Sequence, residues 1–344
     1  MSLIAAESLH DWLRALALLA AWPEQLLQHY IRTDAILTAW ALVAVFTLVT
    51  WTISTITRNY SQVDRIWSIT PFIYAIHFAV HAAVHNGVVI ELRTFVMALL
   101  TTLWGLRLTF NFYRKGGYDW YNEDYRWSYC RRIVDNPLLW ELFSFFFISV
   151  YQHLLLFGIS LPSLVAYKAS LLHGPAFTAL DGAAAIGFAA LLVFETVADQ
   201  QQWNFQSEKY RLLAVAAQRE AAPARSASET LEQKQARLLA TLPHPFNIGF
   251  ITSGLFRYSR HPNFFAEQAM WWTFNLFAVS AAQSFWIWTW TAPLLLSLLF
   301  LGSTALTEWI TEQKYPLYKE YKKTTSTVIP WIPGKPILAA QKDD

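Results

Sequence analysis

Gly254-Leu255-Phe256-Arg257-Tyr258-Ser259-Arg260-His261-Pro262-Asn263-Phe264-Phe265-Ala266-Glu267 passes from a basic, turn-prone stretch straight into an apolar run that ends near Ala282. Proline suits the first turn of a helix and pushes the preceding residue out of helical geometry, so a helix is expected to start at Pro262 with His261 just outside it. The free amides of that helix start, together with its dipole, favour an anion. Arg257 and Arg260 add planar forks suited to phosphate. Glu267 lies just over one turn further on, inside apolar sequence, where a carboxylate needs a donor such as a cofactor amide or a ribose hydroxyl. The same stretch also suits a plain basic juxtamembrane segment followed by a span, so its context is informative.

That context is oily. Of 344 residues, 55% are hydrophobic and 16% aromatic, while 15% are charged against roughly 25% in a soluble protein. An all-α, polytopic membrane protein is expected; collagen, disordered tails and disulfide scaffolds are excluded. Cys130 is the one cysteine and forms no intrachain disulfide, and a net charge of +2 carries no nucleic-acid footprint. Seven segments reach the length of a span, at about 35–57, 66–84, 88–110, 138–160, 176–198, 262–282 and 284–306. Most of the 26 Lys and Arg residues fall on the side reached after odd-numbered spans. The positive-inside rule then puts the C-terminus in the cytoplasm and the N-terminus outside or in a lumen.

Residues 1–34 form an N-terminal segment in which Trp12 to Trp22, stopped by Pro23 and carrying acidic Glu7 and Asp11 on its N-terminal flank, reads as an interfacial helix rather than a signal peptide. Residues 35–344 read as one membrane domain with a flexible cytoplasmic insertion at about 212–242, which holds a short surface helix from Glu229 to Ala240. No internal repeat of fixed period is visible, so the inverted-repeat signature of secondary transporters is missing.

Ionisable groups inside spans are costly, and here nearly all sit at the cytoplasmic ends. Asp64, Ser68 and Pro71 are spaced i, i+4, i+7 and would share one helical face; Arg107, Asn111 and Arg114 repeat that spacing, as do Glu195, Asp199 and Gln202. Each triplet alone suits boundary residues reaching for water, but three on one side could line a polar cup. Beyond the last span, Tyr315, Tyr318 and Tyr321 at steps of three could stack on an adenine or bond phosphate, with Lys322 and Lys323 nearby, or could anchor the chain at a membrane surface.

At these residues the sequence resembles the steroid 5α-reductase superfamily, in its branch of multispanning reductases. The matching pieces are Val63 to Ser68, Leu103 to Asn111, Glu123 to Trp127, Glu195 through Asp199 to Phe205, Arg257 to Glu267, and Tyr315-Pro316 followed by Ile329-Pro330. The resemblance implies a seven-helix fold whose cytoplasmic half binds NADPH and whose bilayer half admits a hydrophobic, lipid or sterol-like enone. It assigns Asn263 and Glu267 to the nicotinamide end, Asp199 and Tyr315 to the rest of the cofactor pocket, and Arg257 and Arg260 to phosphate. Arg114, Glu195, His261, Tyr318 and Lys323 complete the expected cofactor site. Ala266 replaces the family's usual glycine, and Asn111 stands near where true steroid reductases place a tyrosine, which argues against a steroid substrate. Asp64 is the candidate proton donor, with Arg107 and Asn111 assisting at the oxyanion.

Two other enzyme classes share part of this pattern. Membrane methyltransferases that use S-adenosylmethionine carry a similar Arg-His-Pro helix start, but the stretches at Asp64 to Ser68, Trp104 to Asn111 and Glu195 to Asp199 read as reductase features. A metal-dependent desaturase or hydroxylase is prompted by His77, His81 and His85 at i, i+4, i+8, yet no second histidine cluster of ligand spacing exists, and no metal is expected. A lipid reductase fits the endoplasmic reticulum membrane. No residue code names the substrate or the oligomeric state.

Overall fold

Apolar stretches of membrane length have no water to satisfy their backbone groups and close their hydrogen bonds within helices. The computed structural model, which describes Gln25 and residues 28–85, 87, 89–219 and 230–334, is helical with no strand among those residues. Its elements are α1 (Ala35–Thr57), α2 (Gln62–Ile66), α3 (Thr70–His85), α4 (Leu92–Arg114), α5 (Tyr125–Val134), α6 (Pro137–Ser160, with a π-helical segment Ser144–Tyr151), α7 (Pro162–His173), α8 (Ala179–Arg219), α9 (Leu231–Ala240), α10 (Pro262–Ala282), α11 (Thr291–Lys314) and α12 (Tyr318–Thr324). The starts follow local chemistry: Asp34, Asp124 and Asn136 accept backbone amides at the starts of α1, α5 and α6, and Pro262 occupies the first turn of α10.

Among the described residues, five rods are long and apolar enough to cross a membrane: α1, α4, α6, α8, and the segment Trp288–Lys314 that contains α11. Two expected spans differ from these. The segment expected at 66–84 is broken: α2 stops at Ile66 and α3, 16 residues long, begins at Thr70. Asp64, Ser68 and Pro71 therefore do not lie on one continuous helical face, which corrects the sequence expectation. The segment expected at 262–282 is the 21-residue α10, whose apolarity is diluted by Asn263, Glu267, Gln268 and Asn275.

Helices α5, α7 and α12 have no counterpart among the expected segments. Helix α8 continues through the expected insertion as far as Arg219, and α9 carries a capping box between Thr230 and Gln233. The expected N-terminal interfacial helix and residues 220–229 of the insertion lie outside the described residues.

Outward faces of the rods keep large apolar side chains, as a lipid-facing surface requires, and aromatic residues cluster at the turn before α11. There Phe285, Trp286 and Trp288 are exposed, while Trp290 stacks on Trp272 with ring centroids 5.5 Å apart. Inside, Met97 and Trp104 of α4, Phe188 of α8, and Met270, Trp271, Phe274 and Phe277 of α10 form one buried cluster. One end of this core is closed by Arg93, which donates two 2.9 Å bonds to Asp181, while Ser280 and the Thr178 amide donate to the same carboxylate. These added bonds offset part of the cost of desolvating a pair that is 3% and 0% exposed.

Close approach of α3 to α4 depends on Gly105. A Cβ there would fall 2.4 Å from the Ser68 carbonyl oxygen and 2.4 Å from the Phe72 ring. Because one obstacle is backbone, Gly105→Ala should destabilise the bundle by about 1–3 kcal/mol as overpacking does. Thermal melting of the purified protein in detergent tests this, and an unchanged midpoint would contradict the packing described.

Candidate functional site

Helical spacing puts Arg107 and Asn111 on one face of α4, Glu195 and Asp199 on one face of α8, and Asn263 and Glu267 on one face of α10. The three faces meet. Arg107 pairs with Glu195 at 2.8 Å and Asp199 at 2.7 Å, and its guanidinium lies 3.9 Å from Glu267. Asn111 donates to Asp199 at 2.7 Å and Asn263 donates to its other oxygen at 3.4 Å. The indoles of Trp104 and Trp271 donate to the two oxygens of Glu267 at 2.8 and 2.9 Å. Side-chain exposures of 5–11% make this a nearly dry cluster.

Its charge does not balance. Three carboxyl groups surround one guanidinium, so the cluster is rich in acceptors. One of them, Glu195 Oε2, is buried without a partner, as is Gln202 Oε1 on the same helix, and the Arg107 Nε–H is a buried donor without one. Such a site suits a ligand that brings N–H donors together with an acceptor. The carboxamide of a nicotinamide ring fits: its amide can donate to Glu267 or Glu195 and its carbonyl can accept from Asn263.

The more distal cofactor assignments are partly redirected. Arg114 donates to Gln200 at 2.8 Å, with its guanidinium 4.7 Å from the ring centre of Trp203 at the exposed end of α4. Arg257 is exposed. Arg260 is not. Its guanidinium binds Glu308 at 2.7 and 3.1 Å, Thr327 at 2.8 Å and the carbonyls of Lys322 and Thr325. His261 joins Glu308 at 3.1 Å, and the Arg260 and His261 amides donate to Ser326 and Thr327. Arg260 therefore clamps the C-terminal segment against the start of α10, and its donors are spent on protein rather than on phosphate.

Expected tyrosine stacking is corrected in the same way. Tyr318 and Tyr321 are buried against Ile248 and Phe250, with their hydroxyls on Glu308 and the Phe256 carbonyl. They fill a small core because steps of three turn them inward along α12. Tyr315 packs beside them on Phe250, with its hydroxyl 3.4 Å from Lys209, and Lys323 is exposed and paired with Glu320. Gly254, at φ +61°, brings its loop against α8, where Gln201 accepts the Leu255 amide at 2.8 Å.

Asp64 belongs to a second network. It accepts the Trp127 indole at 2.9 Å, beside Arg126, which holds Asp124 through two 2.9 Å bonds and reaches Ser303 on α11. Burial raises the Asp64 carboxyl above the ordinary aspartate range, while the Arg126 charge and the bonds from Trp127 and Ser61 pull the other way. The link to α4 is made instead by Ser68, 2.7 Å from Thr109. His77, the first of the histidine stripe, has both ring nitrogens engaged, by Tyr30 and the Ala35 carbonyl, and no group of three metal-ligating side chains assembles among the described residues.

Sequence reasoning missed the two indole donors and Glu308. Trp271 was findable, since it lies four residues after Glu267; Trp104 and Glu308 come from elements distant in sequence. Removing Arg107 leaves three carboxyls without their cation, so Arg107→Gln should cost about 3–5 kcal/mol. The loss would appear as a lowered melting temperature, partly restored in Arg107→Lys; a neutral effect of Arg107→Gln would mean that the ion pairs do not hold the helices.

The chain is similar to an uncharacterized protein of Schizosaccharomyces pombe, 36% identical over 305 residues that make up 89% of this chain and 82% of that protein. No solved structure matches it. It also matches, over residues 50–325, the family described as "Protein of unknown function (DUF1295)", a span that includes every residue of the Arg107 cluster and of the Asp64 network. On that match across most of its length, the chain belongs to the DUF1295 family, which is steroid 5α-reductase-like.

Proposed function

We propose that the protein is a membrane-embedded, NADPH-dependent reductase that acts on the activated C=C bond of a hydrophobic lipid or sterol-like enone. The observation that carries this reading is the convergence of Glu195, Glu267 and Asn263 in one nearly dry cluster with an acceptor oxygen left over. When bound, NADPH supplies a hydride to the far carbon of the double bond. Glu267 and Asn263 would hold and orient the carboxamide of its ring. Arg107 and Asn111, expected at the oxyanion, both bond Asp199 and so act as positioning residues for the cofactor face. Asp64 remains the candidate proton donor, its burial favouring the protonated form.

In this reading α3 and α10 supply the second and sixth of seven crossings. The basic ends face the cytoplasm, the N-terminus lies outside or in a lumen, and the membrane is that of the endoplasmic reticulum. The apolar interior beyond the Arg107 cluster receives the substrate.

Cofactor class is tested by thermal shift of the purified full chain. NADPH should stabilise it, with the shift lost in Glu267→Gln; stabilisation by S-adenosylmethionine and none by NADPH would make the protein a methyltransferase instead. Asp64→Asn should abolish NADPH oxidation across a panel of lipid enones while the NADPH-induced shift survives. The pH dependence has a defined sign. Because the folded chain holds the Asp64 proton more tightly than the unfolded chain, its stabilising contribution is present below the ordinary aspartate pKa and is lost as pH rises through the raised value. Turnover should fall over the same rise; a rate that climbs through it would remove Asp64 as the acid.

A further inference from the structure

A cavity of about 700 Å³ lies between the end of α1 and the start of α6, away from the Arg107 cluster. Trp51, Thr55 and Arg58 line it from the α1 side, Arg131 from α5, and Tyr60 and Trp140 complete the wall. Trp51 meets Phe145 edge to face, with ring centroids 5.0 Å apart. Among the described residues, the Trp51 and Trp140 indole N–H groups, the Thr55 hydroxyl and the Arg131 Nε–H are buried donors with no partner, and Glu141 Oε2 is a buried acceptor with none. Four unspent donors against one unspent acceptor call for a ligand rich in acceptor oxygens that also keeps one O–H, as a monoprotonated phosphate monoester does.

The cations are arranged for an anion. Arg131 is held rigid, its guanidinium 5.1 Å from the Tyr60 ring and 5.2 Å from the Trp140 ring while it bonds both oxygens of Glu123. Arg58 is the movable one: its side chain is 70% exposed and meets Glu141 through one nitrogen, so it can take an anion while keeping that pair. Of the acids on the wall, Glu141 receives Arg58 and the Tyr60 hydroxyl on Oε1 and keeps Oε2 for a donor on the ligand, and Asp135 is exposed. On the same elements, Ile56 of α1 and Leu138, Leu142 and Phe146 of α6 are exposed apolar side chains, as on a lipid-facing surface. Tryptophan, tyrosine and arginine side by side at the end of an apolar rod are the chemistry of the headgroup layer.

We infer that this cavity binds the phosphate head of an acidic membrane amphiphile, whose acyl chain lies along the apolar flank of α1 and α6. The site is separate from the proposed reductase centre and does not depend on it. The shared chemistry is phosphate, and free phosphate and a lipid headgroup are separated by experiment.

Delipidated full chain in neutral detergent is titrated with dihexanoyl phosphatidic acid, dihexanoyl phosphatidylcholine and inorganic phosphate, with binding read by calorimetry and tryptophan fluorescence. Phosphatidic acid should bind about tenfold more tightly than either alternative, the scale of one charge-assisted contact. Arg58→Gln and Thr55→Val should each weaken that binding several-fold with unchanged melting curves. The assignment is overturned if phosphatidic acid does not bind, if phosphatidylcholine binds equally well, or if both variants bind like the parent. Inorganic phosphate binding as tightly as phosphatidic acid would show a free-anion site and overturn the amphiphile.

Discussion

A guanidinium placed within a bundle of apolar helices must find its counter-charges inside the protein, and Arg107 finds three of them. That requirement couples α4 to α8 and α10, since no single neighbour satisfies it. It also explains why polar residues occur where the sequence is otherwise apolar: Glu195, Asp199 and Glu267 are tolerated because a cation and the amide and indole donors meet them. The aromatic residues serve two ends here. Trp104 and Trp271 fill the core with their rings, which pack edge to face at 4.9 Å, and spend their one polar atom on Glu267.

The same three helices are pinned a second time. Arg93, on α4, takes Asp181 of α8 with Ser280 of α10 attached. Fourteen residues of helix separate the two arginines, about 21 Å at the usual rise per residue. Between these ionic ends lie Met97, Phe188, Phe274 and their apolar neighbours, with Thr101 and Asn275 buried at the same level. A rigid frame of this kind suits a site that must present several side chains in fixed geometry. The helices outside the frame carry what differs in character: the Asp64 network on α2 and α5, and the phosphate-suited cavity beside α1 and α6.

Much of the Arg107 cluster was legible because helical spacing is a local property. Arg107 and Asn111, Glu195 and Asp199, and Asn263 and Glu267 are each separated by four residues, so each pair had to share a face. Two expectations drawn from the same spacing failed for physical reasons. Asp64 and Ser68 are also four apart, but the helix between them breaks, and spacing counts only where the helix is continuous. Arg260 carries the chemistry of a phosphate binder, yet the return of α11 brings Glu308 to it, and a buried guanidinium takes the nearest carboxylate.

Composition and local periodicity by themselves determined that the chain is helical and membrane-bound, where α10 begins, and which polar residues sit together on each helix. These follow from backbone hydrogen bonding in an apolar medium and from the helical repeat, neither of which needs a partner. Only the tertiary structure decided which faces meet: that Arg107 serves three acids, that Arg260 and the tyrosines of α12 are spent on holding the C-terminal segment, and that Asp64 stands apart with Trp127. Those outcomes depend on contacts between residues tens to hundreds of positions apart, and charge pairing in a dry interior is settled by whichever partner the packing delivers.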